Sequence, residues 1–247
     1  RGLLDNITGV GRQKNTIRRQ HQGKIGEHVA YSVITPDPSL DIEEVGLPIT
    51  ACAELTLREE VNEDNIDFLR MCVSNGWQKP VHRGQKYKDF DSSRYPGAHV
   101  IRKRSGGRID LDFDEVPAQF VAEHRLLTSL GLELGDVVER NIIAGDIVLF
   151  TRAPALHRQS MIAFRVVPIK DRSFSFNPSV CIPFNADYDG DAMRIFVPQS
   201  KEAIEEARDL MLTPQQMLHT RYGRTFITFD QDEISGSYLL TFKNKEH

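Results

Sequence analysis

The sequence predicts a mainly β fold with α insertions, and three observations support this. Short stretches rich in β-branched and aromatic residues recur along the chain, and Gly, Pro and Asn separate them. Helical spacing of apolar residues is confined to one region in the first half and to the C-terminal part. The 247 residues are 40% hydrophobic, which is enough for a substantial core. Many short strands with one helical insertion are typical of a closed barrel with elaborated loops.

The first strands are expected in residues 29–53, where β-branched residues alternate with proline turns. A helix is predicted next, because three apolar residues share one helical face: Ile66, Leu69 and Val73. Asn62 or Asp64 is available as its N-cap, and Asn75-Gly76 as its stop. Residues 78–97 are polar and have no clear period, which predicts a surface loop.

Apolar and acidic residues alternate after residue 100, around a Ser-Gly-Gly turn at 105–107, and predict a hairpin. Further short strands are expected at 137–138, 147–150, 163–167, 174–176 and 193–197. A helix should begin near Ser200. Thr213 and the following Pro214 combine a capping-box pattern with proline at the first helical position, so a second helix is predicted there.

Composition excludes several classes of protein. No run of about 18 apolar residues exists, which predicts a soluble chain without a membrane span. Cys52, Cys72 and Cys181 are too few and too scattered for a disulfide framework or a zinc site, so buried free thiols are expected. The net charge of −4 argues against a wholly basic nucleic-acid-coating domain.

Charge is nevertheless unevenly distributed. No acidic residue lies between Asn6 and Gly26, and this stretch carries five cations: Arg12, Lys14, Arg18, Arg19 and Lys24. Such a run is either a solvated face or a phosphate-binding segment, and the residues alone leave both interpretations open.

The densest chemical signal is the segment 185–191, Asn-Ala-Asp-Tyr-Asp-Gly-Asp. Asp187, Asp189 and Asp191 occupy alternate positions directly after an apolar stretch. Three carboxylates this close repel one another unless solvent screens them or a cation neutralises them. Hard oxygen ligands at this density suit magnesium or manganese.

Two other interpretations fit parts of this segment. A solvated acidic turn is compatible with the composition, since Asp and Gly are common in loops. A calcium loop would place the three aspartates at its first, third and fifth positions. That loop requires Gly at the sixth position and Glu at the twelfth, where this chain has Ala192 and Pro198.

The heptapeptide resembles the catalytic loop, N-A-D-[FY]-D-G-D, of the largest subunit of multisubunit DNA-dependent RNA polymerases. Residues 150–158 are similar to the family's F-N-R-x-P-[ST]-L-H block. Other similar segments are 33–38, 45–48, 197–200, 231–236 and 238–241, the last three closest to the archaeal form. The resemblance covers roughly residues 11–241.

The resemblance implies a double-psi β-barrel catalytic core with a helical insertion and a helical C-terminal extension. Residues 1–22 would be a basic, switch-like segment leading into the barrel. The barrel domain would span 23–198 with an insertion around 54–97, and 199–247 would begin the pore or funnel region. The chain would be a piece of a longer subunit, which lies in the cytoplasm of an archaeon or in the nucleus of a eukaryote.

The implied reaction is template-directed synthesis of RNA from nucleoside triphosphates by two-metal nucleotidyl transfer. Asp187, Asp189 and Asp191 match the family's catalytic ligands of a tightly bound Mg²⁺. Arg152 and Asn185 match the pair that reads the ribose hydroxyls of the incoming nucleotide. His157 is expected to be a packed structural residue without a role in proton transfer.

The implied partners are the second-largest subunit and other polymerase subunits, template DNA, the RNA product and nucleoside triphosphates, with no membrane. The five cations of the basic segment would contact the template strand. The isolated piece should be inactive, because a second barrel and a trigger loop lie outside it.

Three departures from the family pattern favour a competing hypothesis. Ile25 and Tyr31 stand where the family has arginines that touch the template, which lowers the salt-dependent part of affinity. Ala192 stands where the family has an auxiliary acidic residue. The alternative is a paralogue that retains the barrel as a non-catalytic interaction module. A single-chain polymerase of the kind used in RNA silencing is a weaker alternative, given the archaeal-type segments.

Overall fold

The computed structural model describes residues 26–78, 91–113, 116–219, 222–228 and 231–242. The predicted nucleic-acid contacts in the basic segment lie outside these residues, as does Ile25: Arg12, Lys14, Arg18, Arg19 and Lys24. Strands in two sheets dominate the described part of the chain, with helices between them. The mainly β character expected from the sequence is therefore present, while the domain boundaries stay a prediction.

The described strands are numbered in chain order: β1 Val29–Pro36, β2 Glu44–Pro48, β3 Thr56–Glu60, β4 Ala98–Arg102, β5 Arg108–Asp110, β6 Val137–Asn141, β7 Ile147–Thr151, β8 Met161–Ile169, β9 Phe174–Phe176 and β10 Ala192–Phe196. The α-helices are α1 Ile49–Glu54, α2 Ile66–Asn75, α3 Val121–Leu130, α4 Lys201–Glu206 and α5 Gln231–Thr241.

Six strands close into a barrel in the order β1-β10-β7-β8-β2-β9. Strand β1 pairs parallel to β9, and β2 pairs parallel to β8, whereas the other barrel pairs are antiparallel. Closure leaves no free barrel edge, because each strand has a partner on both sides. The closed barrel predicted from the short strands is confirmed.

A cluster of aromatic rings lies among the aliphatic side chains of the barrel core. Phe150 on β7 is fully buried and meets four other phenylalanines at ring-centroid distances of 5.3 to 6.2 Å, all edge-on: Phe164, Phe174, Phe176 and Phe184. Edge-to-face contacts of this kind stabilise a core beyond the area they bury. Because Phe184 directly precedes the acidic segment, this cluster also fixes the point where that segment leaves the barrel.

The chain between β2 and β7 forms a second sheet in the order β3-β6-β4-β5. The predicted hairpin is confirmed as β4 and β5, and the predicted helix as α2, which ends at Gly76 with φ +66°. The N-cap of α2 is Asn65, so neither proposed cap was correct. Asn62 instead accepts hydrogen bonds from the backbone of Asp64 and Asn65.

Helices α1 and α3 were not predicted. Helix α1 is only six residues long and follows β-branched residues, so its spacing cannot be distinguished from that of a strand. Helix α3 carries exposed leucines at 126, 127 and 130, so its apolar residues do not mark a buried face. The expectation of a single helical insertion was therefore too low, because α1 and α3 are present in addition to α2.

The C-terminal part begins as predicted, with the Ser200 hydroxyl accepting a hydrogen bond from the Ala203 backbone N–H at 3.2 Å and α4 following it. The predicted capping box at Thr213 does not form. Thr213 lies inside a four-residue 3₁₀ turn whose N-cap is Leu212, and its side chain is fully buried.

A buried ion-pair network joins the two sheets. The guanidinium of Arg140 on β6 holds Asp146 through Nη1–Oδ2 and Nη2–Oδ1 hydrogen bonds of 2.7 and 3.0 Å, and it also pairs with Glu59 on β3. Burial alone would lower the pKa of Arg140, but these carboxylates raise it above its ordinary value. Asp146 in turn accepts the Ile143 N–H at 2.8 Å. The network therefore fixes the turn that leads into β7.

The cysteines agree with the prediction of free thiols. Cys52 and Cys72 are buried, which raises the pKa of each to about 12, and Cys181 is half-buried. Among the helices of the described ranges, none combines the length and the apolar character needed to cross a membrane.

Candidate metal centre

The acidic loop, residues 185–191, leaves the barrel core through a left-handed residue. A short 3₁₀ turn, Ile182–Phe184, ends at Asn185, whose φ of 47° and ψ of 47° lie in the left-handed region. Its backbone N–H donates to the Ile182 carbonyl at 3.0 Å, and that of Ala186 donates to the Cys181 carbonyl at 3.3 Å. Asparagine tolerates this conformation better than most residues, which explains its presence here.

Side chains alternate between core and solvent along the acidic loop. Tyr188 packs against the core, with its ring centroid 5.7 Å from that of Phe176 and its hydroxyl donating to the Phe176 carbonyl at 3.3 Å. Asp187 and Asp189, on either side of it, are exposed. Sequence reasoning missed this anchoring role of Tyr188, although the alternation of polar and apolar residues signalled it. The tyrosine makes the carboxylates point outward together.

The three predicted ligands converge. Asp187, Asp189 and Asp191 each offer a carboxylate oxygen, and these oxygens lie within 4.8 Å of one another. Gly190 has φ 123°, a conformation that strains any residue with a Cβ, although a Cβ there would meet nothing within 4 Å. The glycine is therefore required by backbone torsion and not by lack of space.

The electrostatics of the triad are those of crowded anions. A hydrogen bond shared with Asp189, together with burial and the nearby charges, raises the pKa of Asp187. Hard carboxylate oxygens at these separations fit a divalent cation such as Mg²⁺, which would replace their mutual repulsion with attraction. The donor set and its spacing thus agree with the metal-ligand hypothesis.

Arg152 is brought to the triad by strand pairing. Strand β7 runs antiparallel to β10 with Thr151 opposite Arg194, so Arg152, just after β7, lies beside the start of β10. Its Nε is 2.8 Å from Asp191 Oδ2, and its Nη2 is 3.0 Å from Oδ1. This bidentate ion pair lowers the pKa of Asp191.

Asp191 is fixed by two further contacts. Its carboxylate accepts the Asp187 N–H at 3.2 Å, and its carbonyl accepts the Ile34 N–H at 3.0 Å from β1. The side chain is half-buried, unlike those of Asp187 and Asp189. One predicted ligand is therefore held in place by hydrogen bonds and an ion pair, and the other two are exposed.

The other predicted site residues are placed as follows. Asn185 begins the acidic loop with an exposed side chain that forms no hydrogen bond to a described residue. His157 was expected to be packed, but its ring is exposed; its Nδ1 lies 3.4 Å from the Ser160 hydroxyl, and its ring centroid lies 5.9 Å from that of His219. The expectation of a packed His157 is corrected because the turn at 158–160 holds it on the surface.

Comparison with known proteins shows which family the chain belongs to. The chain matches the family model for RNA polymerase Rpb1, domain 2, over residues 23–213. It is 41% identical to the DNA-directed RNA polymerase subunit Rpo1N of Sulfolobus acidocaldarius over 231 residues, which cover 94% of this chain and 24% of that subunit. The corresponding subunit of Thermococcus celer is 41% identical over 229 residues, 93% of this chain and 23% of the relative.

A eukaryotic relative is similar over nearly the whole chain. The human DNA-directed RNA polymerase III subunit RPC1 is 36% identical over 244 residues, which are 99% of this chain and 16% of RPC1. The chain thus spans about a quarter or less of the length of these relatives. The resemblance seen in the sequence is confirmed, and the chain belongs to the family of largest subunits of DNA-directed RNA polymerases.

Proposed function

We propose that this chain is the catalytic core of a largest RNA polymerase subunit and acts in template-directed synthesis of RNA from nucleoside triphosphates. The observation that carries the proposal is the convergence of Asp187, Asp189 and Asp191 within 4.8 Å on an outward-facing loop. The enzyme would be a nucleotidyltransferase that works only as part of a multisubunit complex.

The three aspartates would hold Mg²⁺ in a two-metal mechanism. When bound, the metal ions lower the pKa of the attacking 3′-hydroxyl and neutralise charge on the triphosphate. The residues of this chain would contribute by positioning the three carboxylates. The Arg152 guanidinium keeps Asp191 ionised and oriented, and Tyr188 and Gly190 set the path of the acidic loop so that Asp187 and Asp189 face the same point.

Arg152 and Asn185 would read the ribose of the incoming nucleotide. The ion pair with Asp191 occupies the Nε hydrogen and one Nη2 hydrogen of Arg152, so three of its five N–H donors remain for a ligand. The Asn185 amide is exposed at the start of the same loop. A substrate without the 2′-hydroxyl would leave such donors unpaired, and this penalises deoxynucleotides.

The remaining features follow from this assignment. The closed barrel would be of the double-psi type, residues 199–247 would begin the pore or funnel, and the basic segment would contact template DNA. The partners would be the second-largest subunit, other polymerase subunits, the template and the RNA product. The compartment would be the cytoplasm in an archaeon and the nucleus in a eukaryote.

Local cleavage by iron tests the metal centre directly. In the assembled polymerase, Fe²⁺ in place of Mg²⁺ is expected to reduce added hydrogen peroxide to hydroxide and a hydroxyl radical that cuts the chain near the acidic loop, because oxygen ligands bind either ion. Added Mg²⁺ should suppress the cuts by competition, and peptide mapping would locate them. The Asp67→Asn variant is a control that should be cut as the parent is, since the Asp67 side chain is 93% exposed on α2 and lies outside the acidic loop.

The same experiment discriminates between the proposed function and the competing one. Ala192 and Tyr31 depart from the family pattern and motivate a non-catalytic interaction module. Such a module would show no localised cleavage, or cleavage that Mg²⁺ does not suppress. Either result would exclude the acidic loop as the metal site.

Ribose selection has its own prediction. Asn185→Asp removes the amide donor but retains a residue type that tolerates the left-handed conformation. The preference for ribonucleotides over deoxynucleotides, measured as a ratio of kcat/KM values, is expected to fall about 5- to 150-fold, the effect of one hydrogen bond of ~1–3 kcal/mol. Asn62→Asp, at an exposed turn remote from the acidic loop in sequence, should leave the ratio unchanged. An unchanged ratio in Asn185→Asp would remove Asn185 from the ribose site.

A further inference from the structure

One edge of the second sheet has no strand beside it among the described residues. Strand β3 comes first in the order β3-β6-β4-β5, so it pairs with β6 on one side only. A cavity of about 620 Å³, the β3 groove, is lined by residues of both β3 and α4, and its apolar lining is Leu57, Val137 and Ile204. A strand edge that faces such a groove is a place where another extended chain can pair.

The two ends of this edge are closed by side-chain amides. The Thr56 carbonyl accepts a hydrogen bond from Gln199 Nε2 at 2.8 Å, and the Glu60 carbonyl accepts one from Asn65 Nδ2 at 2.9 Å. Since both carbonyls are reached from outside the sheet, the backbone groups of the even-numbered residues of β3 point away from β6.

Arg58 lies between these two ends, and its backbone is open to the groove. The odd-numbered Val61 shows the opposite orientation, because its N–H donates to the Asp136 carbonyl on the β6 side at 2.8 Å. By the same alternation, the N–H and C=O of Arg58 point outward, and no hydrogen bond from a described residue reaches them on that side. One free backbone donor and one free acceptor therefore lie side by side on the edge.

The Gln199 amide adds a further acceptor to the groove. Its nitrogen donates to the carbonyls of Thr56 and Val197, at 2.8 and 3.2 Å, which leaves Oε1 as the unused end of the amide. This oxygen is buried and forms no hydrogen bond to a described residue. Buried acceptors are nearly always paired, so its position indicates that an N–H donor enters the groove.

Charge distinguishes between the chains that could enter. Four cationic and four acidic side chains line the β3 groove, so its lining has no net charge. Such a groove does not attract a phosphate backbone, whereas a peptide backbone is itself neutral. The two ends nevertheless differ in sign, because Lys201 follows Gln199 closely and Glu60 lies at the Asn65 end.

We propose that an extended segment of a partner protein adds to β3 as a further strand, pairs its backbone with Arg58 and donates one N–H to Gln199 Oε1. Thr56 and Glu60 are four steps of about 3.3 Å apart, so the groove takes about five residues. Side chains four positions apart share one face of a strand. The segment would therefore carry an acidic side chain near Lys201 and a basic one four positions away, near Glu60.

The test uses the assembled polymerase and a synthetic eight-residue peptide of alternating valine and polar residues, with Asp and Lys four positions apart. Arg58→Pro is expected to weaken peptide binding about 5- to 150-fold, because proline removes the outward N–H and leaves a peptide carbonyl unpaired. An edge strand tolerates proline where the missing N–H faces outward. Arg58→Ala is the matched control, since it loses the ion pair with Glu139 but keeps the N–H, and it should bind the peptide as the parent does. Equal binding by the two variants overturns the proposal.

A scan of the peptide backbone requires no protein variant to fold. One peptide amide at a time is N-methylated, and the affinity of the parent polymerase is measured. Affinity is expected to fall at every second position, because only alternate N–H groups of an added strand face its neighbour. Losses at consecutive positions, or at none, exclude strand addition.

Reversal of one charge tests the difference between the two ends. Lys201→Glu should weaken binding of the original peptide and strengthen binding of a peptide in which Lys replaces the Asp, because this exchange restores an opposite pair. Equal effects on the two peptides would show that Lys201 does not face the acidic position and would overturn the proposed charge pattern.

Subunit composition, measured by native mass spectrometry, distinguishes the sources of the segment. Loss of one polymerase subunit from Arg58→Pro but not from Arg58→Ala supports the proposal and identifies the subunit that supplies the strand. Paired copies of the polymerase that Arg58→Pro separates would assign the edge to self-pairing and overturn it, as would a parent that binds no peptide while Arg58→Pro keeps every subunit. No residue of the metal centre lines the β3 groove, so a polymerase whose RNA synthesis does not require Asp189 would refute the proposed function and leave strand addition untouched.

Discussion

Asp189→Asn is expected to lower RNA synthesis by the assembled polymerase by at least about 10³-fold, because a neutral amide replaces one of three converging carboxylates. Metal ions contribute several kcal/mol of charge stabilisation in the transition state, and 1.36 kcal/mol corresponds to a factor of ten in rate. The exposed position of Asp189 means that its substitution leaves the barrel core intact. Single-turnover incorporation of one nucleotide, measured across a Mg²⁺ titration, is the appropriate readout.

The titration separates loss of the metal from loss of structure. Asp189→Asn should shift the Mg²⁺ dependence to higher concentration and lower the maximal rate, while binding of a primed template stays at the parent level. Asp209→Asn, an exposed aspartate paired with its neighbour Arg208, should match the parent in all three measurements. Near-parent synthesis with an unchanged Mg²⁺ dependence in Asp189→Asn would refute the metal assignment.

Asp136→Ala is expected to reduce the free energy of unfolding at pH 7 by about 3–5 kcal/mol, the usual cost of breaking a buried ion pair from one side. The Asp136 side chain is 1% exposed and accepts hydrogen bonds from Lys103 Nζ at 2.7 Å and from the backbone N–H groups of Arg104 and Glu133 at 3.0 Å. These contacts tie the β4–β5 hairpin to the connection between α3 and β6. Chemical denaturation is the measurement.

The free energy of unfolding that Asp136→Ala loses should depend on pH in a definite direction. Burial by itself would raise the pKa of Asp136, but the hydrogen bonds from Lys103, Glu133 and Arg104 hold it below its ordinary value. A carboxyl with a lowered folded-state pKa stabilises fully above its unfolded pKa, about 3.9, and loses this contribution as pH falls through the folded value.

The difference in unfolding free energy between parent and Asp136→Ala should therefore be constant near neutrality and shrink below about pH 4. Asp136→Asn keeps the shape but removes the charge, and should show an intermediate loss. Asp67→Ala is the exposed control and should cost less than about 0.5 kcal/mol. A loss for Asp136→Ala that stays constant down to pH 2 would exclude the ionised carboxylate as its cause.

Local sequence patterns predicted a helix correctly only where its buried face spaced the apolar residues regularly. Ile66, Leu69 and Val73 face the core of the second sheet. Helix α2 ends at the predicted Asn75-Gly76, but its N-cap lies one to three residues after the two proposed caps. The exposed leucines of α3 gave no such period, so α3 was missed. The capping pattern at Thr213 failed in a different way: the turn there is a short 3₁₀ turn with Leu212 as its N-cap, and the buried Thr213 hydroxyl forms no hydrogen bond to a described residue.

The same distinction between local sequence pattern and tertiary structure applies to the candidate site. Asp187, Asp189 and Asp191 were predicted as metal ligands from their spacing together with the family resemblance, and they are close in space because they belong to one short loop. The pairing of Arg152 with Asp191 spans 39 residues and depends on β7 lying antiparallel to β10, which no periodicity encodes. Thr56 and Gln199 are farther apart still in sequence, and only the tertiary structure places the Gln199 amide against the Thr56 carbonyl.

The sequence by itself determined the family, the strand-rich character of the chain and the position of the three clustered aspartates, since each rests on residues that are neighbours along the chain. The tertiary structure alone decided that Asp191 is held by Arg152, that Tyr188 anchors the acidic loop in the core, and that the outer edge of β3 faces a groove. The reason is physical: side-chain alternation in a strand specifies which face a residue occupies, but barrel closure specifies what that face meets.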